Sequence, residues 1–152
     1  MTPTVTLSAP SLLAVNDLLG GQTVLTGLPR STLDWVTLIR SGIPASAVDA
    51  LTRVTHLTQA ELATAVGIPE RTLARRKREG KLTSEESSRV IRLARVIARG
   101  EEVFEDLAAT IDWLKSPNAA LGGVTPLSLL DTDIGTESAM DTLGRIEHGV
   151  FS

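Results

Sequence analysis

"QAELATAVGIPERTLARR", residues 59–76, decides the fold. Leu62, Ala63 and Val66 recur at three- and four-residue spacing, so one face of a first helix is apolar. Gly67 follows at once, then Ile68, and Pro69 opens a second helix whose Leu73 points back at the first. Two helices that cross steeply need a small residue where they touch, and Ala63 is that residue. The sharp turn between them needs a backbone comfortable at positive φ, which Gly67 supplies. Ile68 and Leu73 lock the second helix onto the first. The spacing from Gln59 through Ala63, Gly67 and Leu73 is that of a helix-turn-helix. One position departs from the pattern: Arg76 stands where many such units keep an apolar residue.

A helix-turn-helix offers the N-terminal half of its second helix to base edges in the major groove. Glu70, Arg71, Thr72 and Arg75 are therefore candidate base contacts, arginine being able to pair bidentately with guanine. Arg76, Lys77, Arg78 and Lys81 are candidates for the flanking phosphates, and Gln59 for the DNA backbone. The charge distribution agrees with this. The 152-residue chain carries a net charge of only −3, but residues 69–99 hold ten basic residues against four acids, a local +6. The remainder is −9, and residues 100–152 hold ten acids against Lys115 and Arg145. A basic middle beside an acidic end points to two different partners.

Helix signals fill the rest of the chain, and the fold class expected is all-α. "SLLAVNDLLGG" (11–21) reads as a short helix stopped by glycines, within a segment 1–30 whose Thr, Pro and Gly content suggests partial flexibility. Ser31 with Asp34, Thr58 with Glu61 and Thr83 with Glu86 read as capping boxes. Pro44 is expected at the first position of a helix, Gly100 at the end of one, and residues 101–116 as a further amphipathic helix. A last helix is expected near 136–148, stopped by Gly149.

Several functional classes are excluded by composition. There is no cysteine for a disulfide or a thiolate zinc site, and His56 and His148 are too few and too far apart for a histidine metal site. No apolar run approaches the roughly 20 residues of a membrane span, and the N-terminus lacks the basic start of a signal peptide. A cytoplasmic protein is expected, with no membrane partner. No phosphate-binding glycine loop follows a strand, and no nucleophile has a histidine partner. The chain reads as a binding protein rather than an enzyme, with no catalytic residue, metal or cofactor.

The stretch "WLKSPNAALGG" (113–123) is more heavily punctuated than a core-filling helix requires. Pro117 stops one helix, Asn118 can bond backbone freed by the turn, Gly122 and Gly123 let the chain reverse, and Pro126 starts another short turn. A knot of short helices packed on the Trp113 helix is expected. In order, Trp113-Leu114, Pro117-Asn118, Leu121-Gly122-Gly123, Pro126-Leu127, Leu130, Gly135 and Gly144-Arg145-Ile146 resemble the C-terminal domain of the Xre/MbcA/ParS antitoxins. With the helix-turn-helix before it, the resemblance runs from about Leu57 to Ser152.

That resemblance implies a Cro-like helix-turn-helix module, taken here as 31–99, and a small helical toxin-binding domain at 100–152. It implies a RES-domain toxin, which consumes NAD, as protein partner, and repression of the chain's own operon by binding operator DNA. A two-fold operator implies a homo-oligomer, expected to be a dimer. Trp113, Asn118 and Leu121 are candidate toxin contacts, with a core role as the alternative for the apolar ones. The closing "GRIEHGVFS" adds Arg145, His148, Gly149, Val150, Phe151 and Ser152. An aromatic ring with a carboxylate beside it can plug a pocket lined with arginine, or Phe151 can fold back on the last helix. A competing reading is a transcription factor whose C-terminal domain serves only dimerisation or ligand sensing.

Overall fold

The computed structural model describes residues 9–27 and 29–149, and its centre is one long helix, α6 (Ser84–Phe104). Around it lie α1 (Ala9–Leu18), α2 (Thr32–Ser41), α3 (Ser46–Thr55), α4 (Gln59–Val66), α5 (Glu70–Glu79), α7 (Leu107–Leu114) and α8 (Asp133–Glu147). Short 3-10 turns occupy Gly21–Thr23, Ala119–Leu121 and Pro126–Leu129. Among the described residues there is no strand; the only extended pairing is an isolated bridge between Pro44 and Lys81. The all-α expectation holds.

Helix α6 earns its central place from its sequence. Val90, Ile91, Leu93, Ala94, Val96, Ile97 and Ala98 are buried, an apolar surface wide enough to serve several neighbours. Helices α1, α2, α4, α7 and α8 all pack against it. The resulting core is continuous, from Val15 and Leu18 of α1 to Ala139 and Leu143 of α8. Helix α1 and the turn after it thus belong to the packed body: Leu18 and Leu25 are buried with Val15 and Leu19.

Local signals set most boundaries. The capping boxes Thr58/Glu61 and Thr83/Glu86 are both complete, each hydroxyl accepting from the N3 amide and each carboxylate from the cap amide. At α2, Ser31 accepts from the Asp34 amide, but the Asp34 carboxylate reaches one residue further back, to the Arg30 amide at 2.9 Å. Gly67 ends α4 at φ 67, the left-handed turn the helix-turn-helix required.

Three expectations are corrected. Pro44 is not a first helical residue: α3 starts at Ser46, and Pro44 lies in the link that pairs with Lys81. Gly100 does not end α6, which continues to Phe104 and stops at Glu105, φ 57; the stripe expected over 101–116 is split between α6 and α7. A Cβ at Gly100 would run into Thr110 Cγ2, so its glycine serves the close approach of α7. The last helix begins at Asp133, capped by Thr132, three residues before the expected start.

Candidate functional site

The outer surface of α5 carries the first site. At about 100° per residue, Arg71, Arg75 and Arg78 lie opposite the buried Leu73. All three are exposed, as are Glu70 and Lys81, while Thr72 and Gln59 are half-buried. The Arg75 Nε lies 3.8 Å from Glu79, a loose pair on a half-exposed side chain. Among the described residues Arg71 and Arg78 make no ion pair and Arg75 only this loose one, and the chemistry of the face suits phosphate oxygens and base edges.

Arg76 and Lys77 are placed differently. Arg76 turns inward, where its Nε and Nη2 donate to the two Glu86 oxygens at 2.8 and 3.1 Å, and Nη1 donates to Glu79 at 3.0 Å. Those bonds, with Glu86 first, raise the guanidinium pKa further above its ordinary value. Burial opposes the charge on Glu86, but Arg76 and the Thr83 amide outweigh it and hold the carboxyl below its usual range. The arginine at an ordinarily apolar position thus ties α5 to the capping box of α6. Lys77 meets Asp49 of α3 at 2.7 Å. The two cations flank the inward side of α5 and fix its orientation.

The helix-turn-helix is also held by α6 and by the C-terminal half. Lys115 lies 3.0 Å from Glu61, whose carboxyl is held low by the Thr58 amide and then by Lys115. Arg89 donates to the Gly67 carbonyl at 2.9 Å, and Arg92 meets Asp133 at 2.6 Å. Asp131 lies close enough to the turn that a Cβ on Gly67 would be 3.4 Å from its own.

The second site is the end of α8. Arg145, in its last turn, and His148, its C-cap, are exposed, and Gly149 follows at φ 73. Arg145 makes no ion pair among the described residues. Val150, Phe151 and Ser152 lie outside the described residues. Asn118, Trp113 and Leu121 lie ahead of α8, Trp113 in α7 and the other two in the turn that follows it. The Asn118 side chain accepts from the Ala120 amide, and its backbone bonds Val124, Leu121 and Gly123, closing the knot that the punctuation implied. The half-buried Trp113 ring packs on Phe104 with centroids 6.1 Å apart. The half-buried Leu121 closes a turn that rests against α8.

Two surfaces were not singled out from sequence. Ile134, in the first turn of α8, is 79% exposed. An open groove of about 410 Å³ separates the end of α3 from α7, lined by Val54, His56, Leu107, Ile111, Asp112 and Lys115. Helical spacing marks neither, because Ile134 stands alone and the groove joins residues some sixty positions apart. No cluster of His, Cys, Asp and Glu among the described residues is arranged to hold a metal ion. No helix of the described residues is long and apolar enough to cross a membrane.

Comparison with known proteins matches both halves. Residues 34–95 match the antitoxin Xre-like helix-turn-helix domain, and residues 99–149 the antitoxin Xre/MbcA/ParS C-terminal toxin-binding domain. The chain is 38% identical over 130 residues to Antitoxin Xre of Yersinia enterocolitica, covering 83% of this chain and 87% of that protein. It is 35% identical over 117 residues to Antitoxin Xre of Photorhabdus laumondii, covering 76% and 79%. It is 29% identical over 132 residues to the Prs ADP-ribosylating antitoxin of a Sphingobium strain, covering 80% and 83%. An Xre-like helix-turn-helix followed by a toxin-binding domain, in a chain alike over most of its length to two Xre antitoxins, places this protein in the Xre antitoxin family.

Proposed function

We propose that this protein neutralises a RES-domain, NAD-consuming toxin in the cytoplasm by seating the end of α8 at the toxin's active-site mouth. The same protein, as a dimer, represses its own operon through α5. The observation that carries the toxin reading is the last turn of α8, where Arg145 and His148 stand exposed within the domain matched as toxin-binding. The name of the Sphingobium relative, a Prs ADP-ribosylating antitoxin, favours an NAD-handling partner, since ADP-ribosyl transfer is NAD chemistry. The exposed Arg71, Arg75 and Arg78 support the DNA reading, because among the described residues only the loose Arg75–Glu79 pair occupies any of them. The protein acts by binding and performs no chemistry of its own.

The protein encoded by the gene beside this one is the probe. Expressed alone it should arrest growth and drain cellular NAD; co-expressed with this antitoxin, growth and NAD should both recover. Arrested growth with NAD undiminished would count against the RES assignment, and arrest unrelieved by co-expression against neutralisation.

A further inference from the structure

Glu147, the last residue of α8, is held by a two-pronged contact from α6. Arg99 Nη2 donates to Oε1 at 2.5 Å and Nη1 to Oε2 at 3.1 Å, while Nη1 also reaches Glu102 at 3.1 Å. Bidentate pairing of this kind fixes orientation as well as distance. A carboxylate at a helix C-terminus is otherwise misplaced: the macrodipole is negative there, and the final carbonyls already lack partners. Something other than helix formation accounts for a glutamate at this position. The core does not hold this end, since Leu143 is the last buried residue of α8 and Ile146 is only half-buried. Among the described residues, the Arg99 contact is the only side-chain bond joining the last turn of α8 to another element.

We infer that Arg99 is a positioning residue for the toxin-facing end of α8: its clasp on Glu147 holds the turn bearing Arg145 and His148 in docking orientation. This rests on the reading that the end of α8 meets the toxin. Arg99 touches no partner itself. It sets the direction in which its neighbours project and removes the fraying that a partner would otherwise have to freeze out, so releasing the clasp shortens the life of the complex.

The test measures two quantities on the full chain: amide exchange at residues 145–149, and affinity for the toxin that the co-expression assay identifies. Arg99→Gln and Glu147→Gln should each speed exchange there and weaken affinity by about tenfold, mostly through faster dissociation. Arg99→Lys, which keeps the charge but loses the fork, should fall between, and it serves if Arg99→Gln does not fold. The swap Arg99→Glu with Glu147→Arg should recover both quantities in part, since a glutamate at 99 would face Glu102. Arg145→Ala with His148→Ala tests the underlying reading. If that pair leaves affinity unchanged, the end of α8 is not the toxin contact and the inference falls with it. If that pair weakens affinity but Arg99→Gln does not, the toxin contact stands and the positioning role of Arg99 is overturned. Unchanged exchange in Arg99→Gln overturns the clasp directly.

Discussion

Gly100, Gly135 and Gly144 all sit within helices, where glycine costs about 1 kcal/mol relative to alanine. Two of them have an internal reason. A Cβ at Gly100 would meet Thr110, and one at Gly135 would meet the Leu129 carbonyl. A Cβ at Gly144 would meet nothing within 4 Å. Gly100→Ala should therefore destabilise the protein by about 1–3 kcal/mol through overpacking. Gly144→Ala should stabilise it by about 0.5–1 kcal/mol, as urea denaturation of both variants would show. The same Gly144→Ala should weaken toxin binding by about tenfold, ~1.4 kcal/mol, if a partner approaches the bare backbone. A variant that is more stable and binds fully would leave Gly144 without a contact role. The sequence could not separate these cases. Gly100 looked like a helix stop because its partner, Thr110, is brought beside it only by the fold.

At the scale of elements, the helix-turn-helix was legible because its signals are local. The two complete capping boxes, the Gly67 turn and the inward Leu73 are each read within a few residues. The direction of the α5 cations was not, because Glu86 and Asp49, which claim Arg76 and Lys77, belong to other helices. That difference is measurable. Arg78→Ala and Lys81→Ala should each lower the slope of operator affinity against salt by about one unit, the release of one phosphate's counterion. Arg76→Met should leave the slope unchanged, because its charge is spent on Glu86, and should instead lower the melting temperature. A slope lowered as much by Arg76→Met would place that guanidinium on DNA.

The same ion pairs set the acid response. Glu86 and Glu147 have pKa values below the ordinary 4.5, Glu86 because Arg76 and Thr83 outweigh its burial, Glu147 through its bonds to Arg99. Their contribution is complete above the ordinary value and disappears as pH falls through the lowered ones. Glu101 has the opposite sign: burial, then repulsion from Asp17, raises its pKa above 4.5, so it penalises the fold at neutral pH and ceases to do so on protonation. Stability should hold or rise slightly on acidification towards pH 5, then fall steeply below about pH 4. Glu86→Gln should be less stable than wild type at pH 7, and the difference should shrink as pH falls below 4.5 towards the lowered Glu86 value. An undiminished difference at pH 3 would contradict the assignment.

The whole molecule is one packed body with two proposed binding faces. Charge segregation made the two faces legible: the basic 69–99 segment and the acidic end are plain in the sequence. Their mechanical union was not, since it depends on α6 running past Gly100 and on contacts such as Glu61–Lys115 and Arg92–Asp133, which join residues forty or more positions apart. Removing residues 101–152 strips α7 and α8 from α6 and uncovers part of its buried surface. That fragment should lose cooperative thermal unfolding as well as toxin neutralisation; a fragment that melts cooperatively near the intact protein's temperature would show that α6 and the N-terminal helices suffice.

Separate faces on a shared core are best tested by substitutions that leave the core alone. Operator affinity and toxin affinity should be measured on the same preparations of two variants, Arg71→Ala with Arg75→Ala and Arg145→Ala with His148→Ala. The account predicts that the first loses specific operator binding and keeps full toxin affinity, and that the second does the reverse, with both melting like wild type. Loss of both affinities in either folded variant, or of neither in both, would contradict it.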